Sequence, residues 1–290
     1  MEWQEDKPTD VIRRFADVRY ILLGGKPKRM QALAQQFFLE MGKLKLDHTV
    51  EEIKEVSEAG RYVMYKVGPV LTVSHGMGRP SLSILLEELA KLLYYAKMHE
   101  KELLKKPISF LRLGTCGGLG IDPGSLIVSS EAVMHHLTPQ LEKYCLDKKM
   151  VFSGAFDSEL REKIIDFHKK NRIESPIHIG KTMTADDFYL GQGRLDGYFK
   201  SDLNEVTRKD FFVKAHKLGI RNFEMEAAEL AGFCNRPGSP LNMVAATICV
   251  ALLDRMHGDQ VESSPTQIQA WENGLLHFAA SFVCSTLSSN

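Results

Sequence analysis

The sequence predicts an α/β fold: one mixed, largely parallel sheet covered by helices on both faces. Three observations carry this expectation. Strand-like runs alternate with amphipathic helical segments, several strands end in glycine-rich turns, and no Pro/Ser-rich linker divides the 290 residues. With 37 basic against 37 acidic side chains and 44% hydrophobic content, the chain reads as globular rather than disordered or fibrous.

Val18 to Leu23 is a strand-like run that ends in Gly24-Gly25, and Lys28 to Met41 carries Met30, Leu33, Phe37 and Met41 at helical spacing. Arg61 to Val67 alternates, Gly68-Pro69 turns, and Val70 to Ser74 leads through Gly76-Met77-Gly78-Arg79-Pro80 into a helix with apolar positions from 82 to 96 at a 3.6-residue period. After a charged connection, Lys101 to Pro107, the strand Ile108 to Leu113 is expected to break at Gly114-Thr115-Cys116-Gly117-Gly118-Leu119-Gly120, and Leu126 to Ser129 resumes strand character. Further strands are expected at Ile177 to Met183, Ile220 to Met225 and Val244 to Val250, and helices near Asp157 to Lys170, Thr207 to Leu218, Glu226 to Phe233 and Thr266 to Leu287.

Several function classes lose their support. Neutral net charge gives no global attraction for a nucleic-acid backbone or an anionic membrane. The longest strongly apolar run, Met243 to Leu253, is 11 residues, short of the roughly 20 that span a bilayer. Residues 1–8 lack the pattern of a secretory signal, and the five cysteines form no C-x-x-C pair. A cytoplasmic protein is expected. Neither G-x-G-x-x-G nor a P-loop occurs, H-E-x-x-H and G-x-S-x-G are absent, and His135-His136 diverge on any regular element, so no metal site is expected.

What stands out is a set of arginines near strand ends: Arg29, Arg61, Arg112 and Arg194. Guanidinium groups and exposed turn amides suit an oxyanion such as phosphate. Each taken alone is more simply a surface arginine beside a turn. Likewise, Glu224-Met225-Glu226 alone reads as an acidic helix start.

Six blocks together carry a resemblance. They are Arg61-Tyr62-Val63-Met64-Tyr65-Lys66-Val67-Gly68-Pro69-Val70-Leu71, Val73-Ser74-His75-Gly76-Met77-Gly78, Leu92-Leu93-Tyr94-Tyr95-Ala96, Arg112-Leu113-Gly114-Thr115, Asp187-Phe188-Tyr189 with Gly191-Gln192-Gly193-Arg194-Leu195-Asp196-Gly197, and Glu224-Met225-Glu226. From about residue 17 to 262 the chain resembles the animal-type uridine phosphorylases. The resemblance implies the nucleoside phosphorylase fold, a single α/β/α sandwich spanning 17–290 after an amino-terminal extension of 1–16. It also implies a homodimer with active sites at the subunit interface, and pyrimidine salvage by reversible phosphorolysis of uridine to uracil and ribose 1-phosphate. No metal or organic cofactor is implied, and inorganic phosphate is a co-substrate.

Residue by residue, the resemblance implies a phosphate site of the Gly25 amide, Arg29, Arg112 and Thr115, completed by Arg61 from the neighbouring subunit. Met225 and Glu226 match the ribose site, with Glu224 beside them. Phe188, Gln192, Arg194, Leu252 and Leu253 match the uracil site. Arg112, Arg194 and Glu226 are the implied catalytic residues. Three departures stand out. The first histidine is His48, too late to match the amino-terminal histidine that the family sends to a neighbour's ribose 5′-hydroxyl. Cys116 stands where Ser or Thr is common, and is read as a small loop residue. Asp254 replaces the expected Asn, which keeps a purine nucleoside phosphorylase as the substrate alternative. A catalytically weak nucleoside-binding paralogue is the alternative of another class.

Overall fold

Alternation along the first strand sets the plan of the molecule. The computed structural model describes residues 13–43, 53–57, 60–98, 100–199 and 202–288. Residues 1–12 of the expected extension, and His48, lie outside the described residues. In β1 (Tyr20–Gly24), Tyr20 and Leu22 enter one apolar core while Ile21 and Leu23 enter another, because successive strand side chains leave on opposite faces. On the first face lie α1 (Pro27–Lys43), α4 (Ser158–Lys170) and α7 (Pro265–Ser288), with Phe37, Ile164 and Phe282 packed together. On the second lie α2 (Arg79–Lys97) and α6 (Ala227–Cys234), with Leu86, Leu89 and Leu230. Two buried faces explain why β1 is buried at all five positions. The short α3 (Lys101–Lys105) falls in the charged connection, and α5 (Glu205–Lys217), which starts in a capping box at Asn204, covers a third cluster through Phe212 and Ala215.

The remaining strands of the main sheet are β2 (Met64–Val67), β3 (Val70–Ser74), β4 (Ile108–Gly118), β5 (Leu126–Val133), β8 (Ile177–Thr184), β9 (Ile220–Glu224) and β10 (Met243–Asp254). Five pairings are parallel and three antiparallel, which is the expected mixed, largely parallel sheet. From β2 the order runs through β3 and β1 to β4, then β10, β5, β8 and β9; β9 returns to pair with β4, so five strands close into a ring.

The return makes a fork. Along one edge β4 pairs with β1 from Ser109 to Arg112, then with β9 at Gly117 and Gly118. Between those stretches, Leu113 to Cys116 have no strand opposite on that side among the described residues, although β10 pairs along the other from Ile108 to Gly118. Divergence of neighbouring strands at a parallel sheet's carboxyl ends is where α/β proteins build crevices.

Two sequence expectations are corrected. The strand at Ile108 does not break at Gly114 but continues to Gly118, so Cys116 is a strand residue, not a loop residue. The glycines fit because a Cβ at Gly114 would stand 2.7 Å from the Arg112 guanidinium, and one at Gly118 would stand 2.7 Å from the Ile121 carbonyl. The segment 140–153, for which no element is expected, forms an antiparallel hairpin of β6 (Gln140–Cys145) and β7 (Lys148–Ser153).

Candidate active site

The fork opens into a cavity of about 390 Å³. Its floor is Arg112 and Gly114 to Gly117 of β4, and its walls come from the turns after β1 and β3, the end of β9, the 188–194 loop and the end of β10. Alternate backbone groups of a strand face each of its edges, so the unpaired stretch Leu113 to Cys116 is a polar notch in an otherwise saturated ladder.

At the first end Gly25, Arg29, Arg112 and Thr115 line the cavity together. Arg29, on the first turn of α1, is 8% exposed and ion-paired with Glu272 of α7. Arg112, 3% exposed, sits mid-strand and is clasped by two carboxylates: Nη1 lies 3.0 Å from Glu224 Oε2, and Nη2 donates to Glu226 Oε2. These partners raise the guanidinium pKa despite burial. The absence of a side chain at Gly114 gives the guanidinium its room.

Glu224 and Glu226 are placed by α6. The Glu224 carboxylate accepts the backbone N–H groups of Glu226 (2.8 Å) and Ala227 (3.0 Å) and the Thr184 hydroxyl (2.8 Å), which fills the donor-rich start of the helix. Burial raises its pKa, against the opposing pull of Arg112. Glu226 also accepts the Gly78 N–H at 2.5 Å. Burial opposes its ionisation, but Arg112 foremost, with His75 and that N–H, holds the carboxyl below its ordinary value. Met225 lines the cavity between the two glutamates.

At the far end a single 3-10 turn, Leu190–Gln192, holds Gln192 at 7% exposure. Gly193 ends it at φ 64°, a left-handed conformation natural to glycine. Asp187 accepts the N–H groups of Tyr189 and Gly191, both at 2.7 Å, which fixes the turn from the other side. Arg194 lies 4.6 Å above the Phe188 ring and is held by Asp196, whose hydrogen bonds raise its pKa. Leu252 and Leu253 are consecutive yet both line the cavity, because the β10–β4 register shifts between Ala251 and Leu253.

Sequence reasoning passes over a brace behind this end. Arg255, 1% exposed, donates to the Gln192 carbonyl at 2.8 Å and to Asp259 Oδ1 at 3.0 Å. Burial lowers its pKa, with Asp259 opposing. Asp259 also accepts from Arg208 at 2.6 Å and from the Leu195 N–H at 3.1 Å, while its carbonyl accepts from Arg194 at 2.9 Å. Only the arginine that closes Leu252-Leu253-Asp254-Arg255 hints at this in the sequence. His75 is the other omission: it lines the cavity, one residue past β3 and one before the Gly76-Met77-Gly78 turn.

Every site residue expected within one subunit lines this cavity; Arg61 does not. It is exposed, with its guanidinium 5.3 Å from the Tyr62 ring centroid. Asp254 faces away, accepting the Gly120 and Met256 N–H groups at 2.9 Å each. Cys116 lines the cavity, and its thiol lies 3.6 Å from the Val250 carbonyl. Burial raises the Cys116 pKa, whereas a hydrogen bond from Cys116 and the charge of Arg112 lower that of Cys249. His135 and His136 sit with Asp186 and Glu142, and among the described residues no cluster has the make-up of a metal site.

Among the described residues, eight buried side-chain polar atoms have no hydrogen-bond partner. Four belong to residues of this cavity: Nε of Arg29, Nε of Arg112, and both ring nitrogens of His75. The two arginine Nε–H groups and the single N–H of a neutral imidazole are orphaned donors that suit an anion arriving with its own acceptors, and the second imidazole nitrogen is an orphaned acceptor.

The model of the phosphorylase superfamily matches residues 19–288. The chain is 38% identical over 255 residues to mouse uridine phosphorylase 1, covering 88% of this chain and 77% of the relative. It is 37% identical over 274 residues to the uridine and thymidine phosphorylase of Caenorhabditis elegans, covering 94% of this chain and 86% of the relative. Among solved structures, the uridine phosphorylase of Schistosoma mansoni in complex with thymidine matches with a TM-score of 0.85 at 29% identity, covering 95% of this chain and 89% of that one.

Proposed function

The chain belongs to the phosphorylase superfamily, among its uridine phosphorylases, and on that premise we propose that it catalyses the reversible phosphorolysis of uridine to uracil and ribose 1-phosphate. The observation that carries this reading is the sharing of one cavity by two buried arginines, a buried glutamate, and the Gln192–Arg194 pair with its aromatic and apolar walls.

A phosphate oxygen must approach the anomeric carbon while the glycosidic bond breaks and its electron pair leaves with the base. Gly25, Arg29, Arg112 and Thr115 hold the phosphate in this reading, with Arg61 supplied by the partner subunit of a homodimer. Glu226 grips the ribose hydroxyls and its carboxylate opposes the positive charge growing on the sugar, with Met225 against the sugar face. Gln192 pairs with the uracil edge, Arg194 opposes negative charge on the departing base, and Phe188, Leu252 and Leu253 enclose it. Arg112 is held in place by its ion pairs with Glu224 and Glu226, so phosphate meets a guanidinium whose position is already set. Phosphate serves as co-substrate, and the bond chemistry calls on no metal or organic cofactor. The reading places the enzyme in the cytoplasm; among the described residues no helix is long and apolar enough to cross a membrane.

Uracil release from uridine, with and without phosphate, tests the reaction, and thymidine and inosine in parallel test the base. Cleavage of uridine is expected only with phosphate or arsenate, and inosine is expected to be a poor substrate. Equal turnover after exhaustive phosphate removal would point to a hydrolase. Efficient inosine phosphorolysis that disappears in Asp254→Asn would make the enzyme purine-specific.

A further inference from the structure

Among the described histidines of the interior, His75 is singular. His168, 9% exposed, bonds the Ser175 carbonyl through Nε2 at 2.8 Å, as an internal histidine of a settled core does. His75 is 1% exposed, yet neither Nδ1 nor Nε2 has a partner. Its backbone is fully committed: the N–H donates to the Gly24 carbonyl at 2.8 Å, and the carbonyl accepts the Ser81 hydroxyl at 2.6 Å. Backbone position is therefore fixed by β1, β3 and the start of α2, while neither ring nitrogen meets a partner in hydrogen-bond geometry and the Gly76 backbone is the least of the influences on the ring.

The ring occupies the cavity wall where the phosphate and ribose ends meet. Arg112, Glu226 and Arg29 all act on it electrostatically, and burial followed by Arg112 pushes its pKa down to about 4. At neutral pH it is an uncharged imidazole, with one N–H donor and one bare acceptor nitrogen. Phosphate offers acceptors only along its ionised oxygens, so it suits the donor; a ribose hydroxyl can donate, so it suits the acceptor. The two substrates of the proposed reaction, brought side by side, complete both.

We propose that His75 contacts both substrates, donating one ring N–H to the phosphate and accepting with the other nitrogen from a ribose hydroxyl, so that it sets the approach of one to the other. The inference rests on the phosphorolysis reading above. It adds a residue between the arginine cradle and Glu226, and gives a role to an imidazole that a purely structural account leaves unsatisfied.

The test compares the unmodified protein with His75→Phe, which keeps a planar ring without nitrogens, and His75→Gln, which keeps a donor and an acceptor. Calorimetric titration with inorganic phosphate alone is expected to show about tenfold weaker binding for His75→Phe, with His75→Gln recovering most of it. At saturating phosphate the uridine KM is expected to rise in His75→Phe, while the ligand-free melting temperature does not fall, since no native hydrogen bond is lost. His75→Leu serves the same comparison if the larger ring prevents folding. Unchanged phosphate affinity and unchanged uridine KM in a folded His75→Phe would overturn the proposal, as would a ligand-free melting temperature lowered equally in the Phe and Gln variants with no change in binding. Phosphate binding that depends on His75, in a protein that does not cleave uridine, would instead sustain the phosphate contact and refute only the reading beneath it.

Discussion

Removing the Asp259 carboxylate is expected to cost both stability and recognition of the base. Its Oδ1 accepts from Arg255 Nε at 3.0 Å and Nη2 at 2.9 Å, and its Oδ2 accepts from Arg208 at 2.6 Å and the Leu195 N–H at 3.1 Å. Arg208 can swing to water and contributes little of the loss. Arg255 cannot, because its side chain is 1% exposed and packs over both the Phe212 and Phe223 rings, at 5.2 and 5.8 Å from their centroids. Asp259→Ala leaves that guanidinium with the Gln192 carbonyl at 2.8 Å and a marginal 3.4 Å contact to Gln192 Oε1. Breaking a buried pair from one side costs about 3–5 kcal/mol. For a chain of this size that lowers the melting temperature by about 5–8 °C. Loss of the Leu195 bond also frees the Gln192–Arg194 turn, so uridine KM is expected to rise about tenfold with phosphate KM unchanged. Scanning calorimetry and initial rates against each substrate measure both effects. A melting temperature within about 2 °C of the unmodified protein, with the same uridine KM, would refute the brace.

Three other expectations follow from the same geometry. Gly114→Ala adds one methyl 2.7 Å from Arg112 Nη1 and removes no polar group; phosphate KM should rise by about tenfold or more, and an unchanged value would show that the guanidinium has room to spare. Mixed Arg61→Ala and Glu226→Ala subunits, each inactive alone, should regain partial activity if Arg61 serves the partner's site, whereas confirmed hybrids without activity would return Arg61 to its own subunit. The His75 pKa is depressed to about 4 in the folded protein by burial, Arg112 and Arg29, against Glu226. Between about pH 6.5 and 4 the unfolded chain therefore binds more protons at this residue, and stability falls as pH falls, by up to about 3 kcal/mol. Urea unfolding across that window should show the loss in the unmodified protein relative to His75→Phe, and parallel curves would contradict it.

The sequence spoke most clearly where a single physical demand acted. Val70 to Ser74 is read to the residue because both faces of β3 are buried and Gly68-Pro69 punctuates its start. The hairpin at 140–153 is hidden because its strands carry Glu142, Lys143, Lys148 and Lys149 in place of a strong apolar alternation. Glycine misleads at Gly114 to Gly118, where it answers crowding by Arg112, Arg255 and Ile121 rather than a turn. Resemblance pointed to residues that line the cavity, but gave no role to His75, whose type has no fixed meaning without its surroundings. Nor did it reveal Asp259, since the partners it gathers, at 195, 208 and 255, come together only in the fold.

The fork in the sheet also bears on how the protein is handled. Between Arg112 and Gly117 no strand among the described residues pairs with one edge of β4, and in the phosphorolysis reading a ligand bridging this notch would supply hydrogen bonds that elsewhere the chain supplies for itself. Occupancy then becomes part of the folding equilibrium: phosphate at a hundred times its dissociation constant would add about 2.7 kcal/mol to the folded state. A melting curve recorded in phosphate buffer describes the complex, and one recorded in a buffer without oxyanions describes the bare chain. Variants of Arg29, Arg112 or Thr115 compared only in phosphate would seem to damage the fold when they had merely lost the stabilising solute.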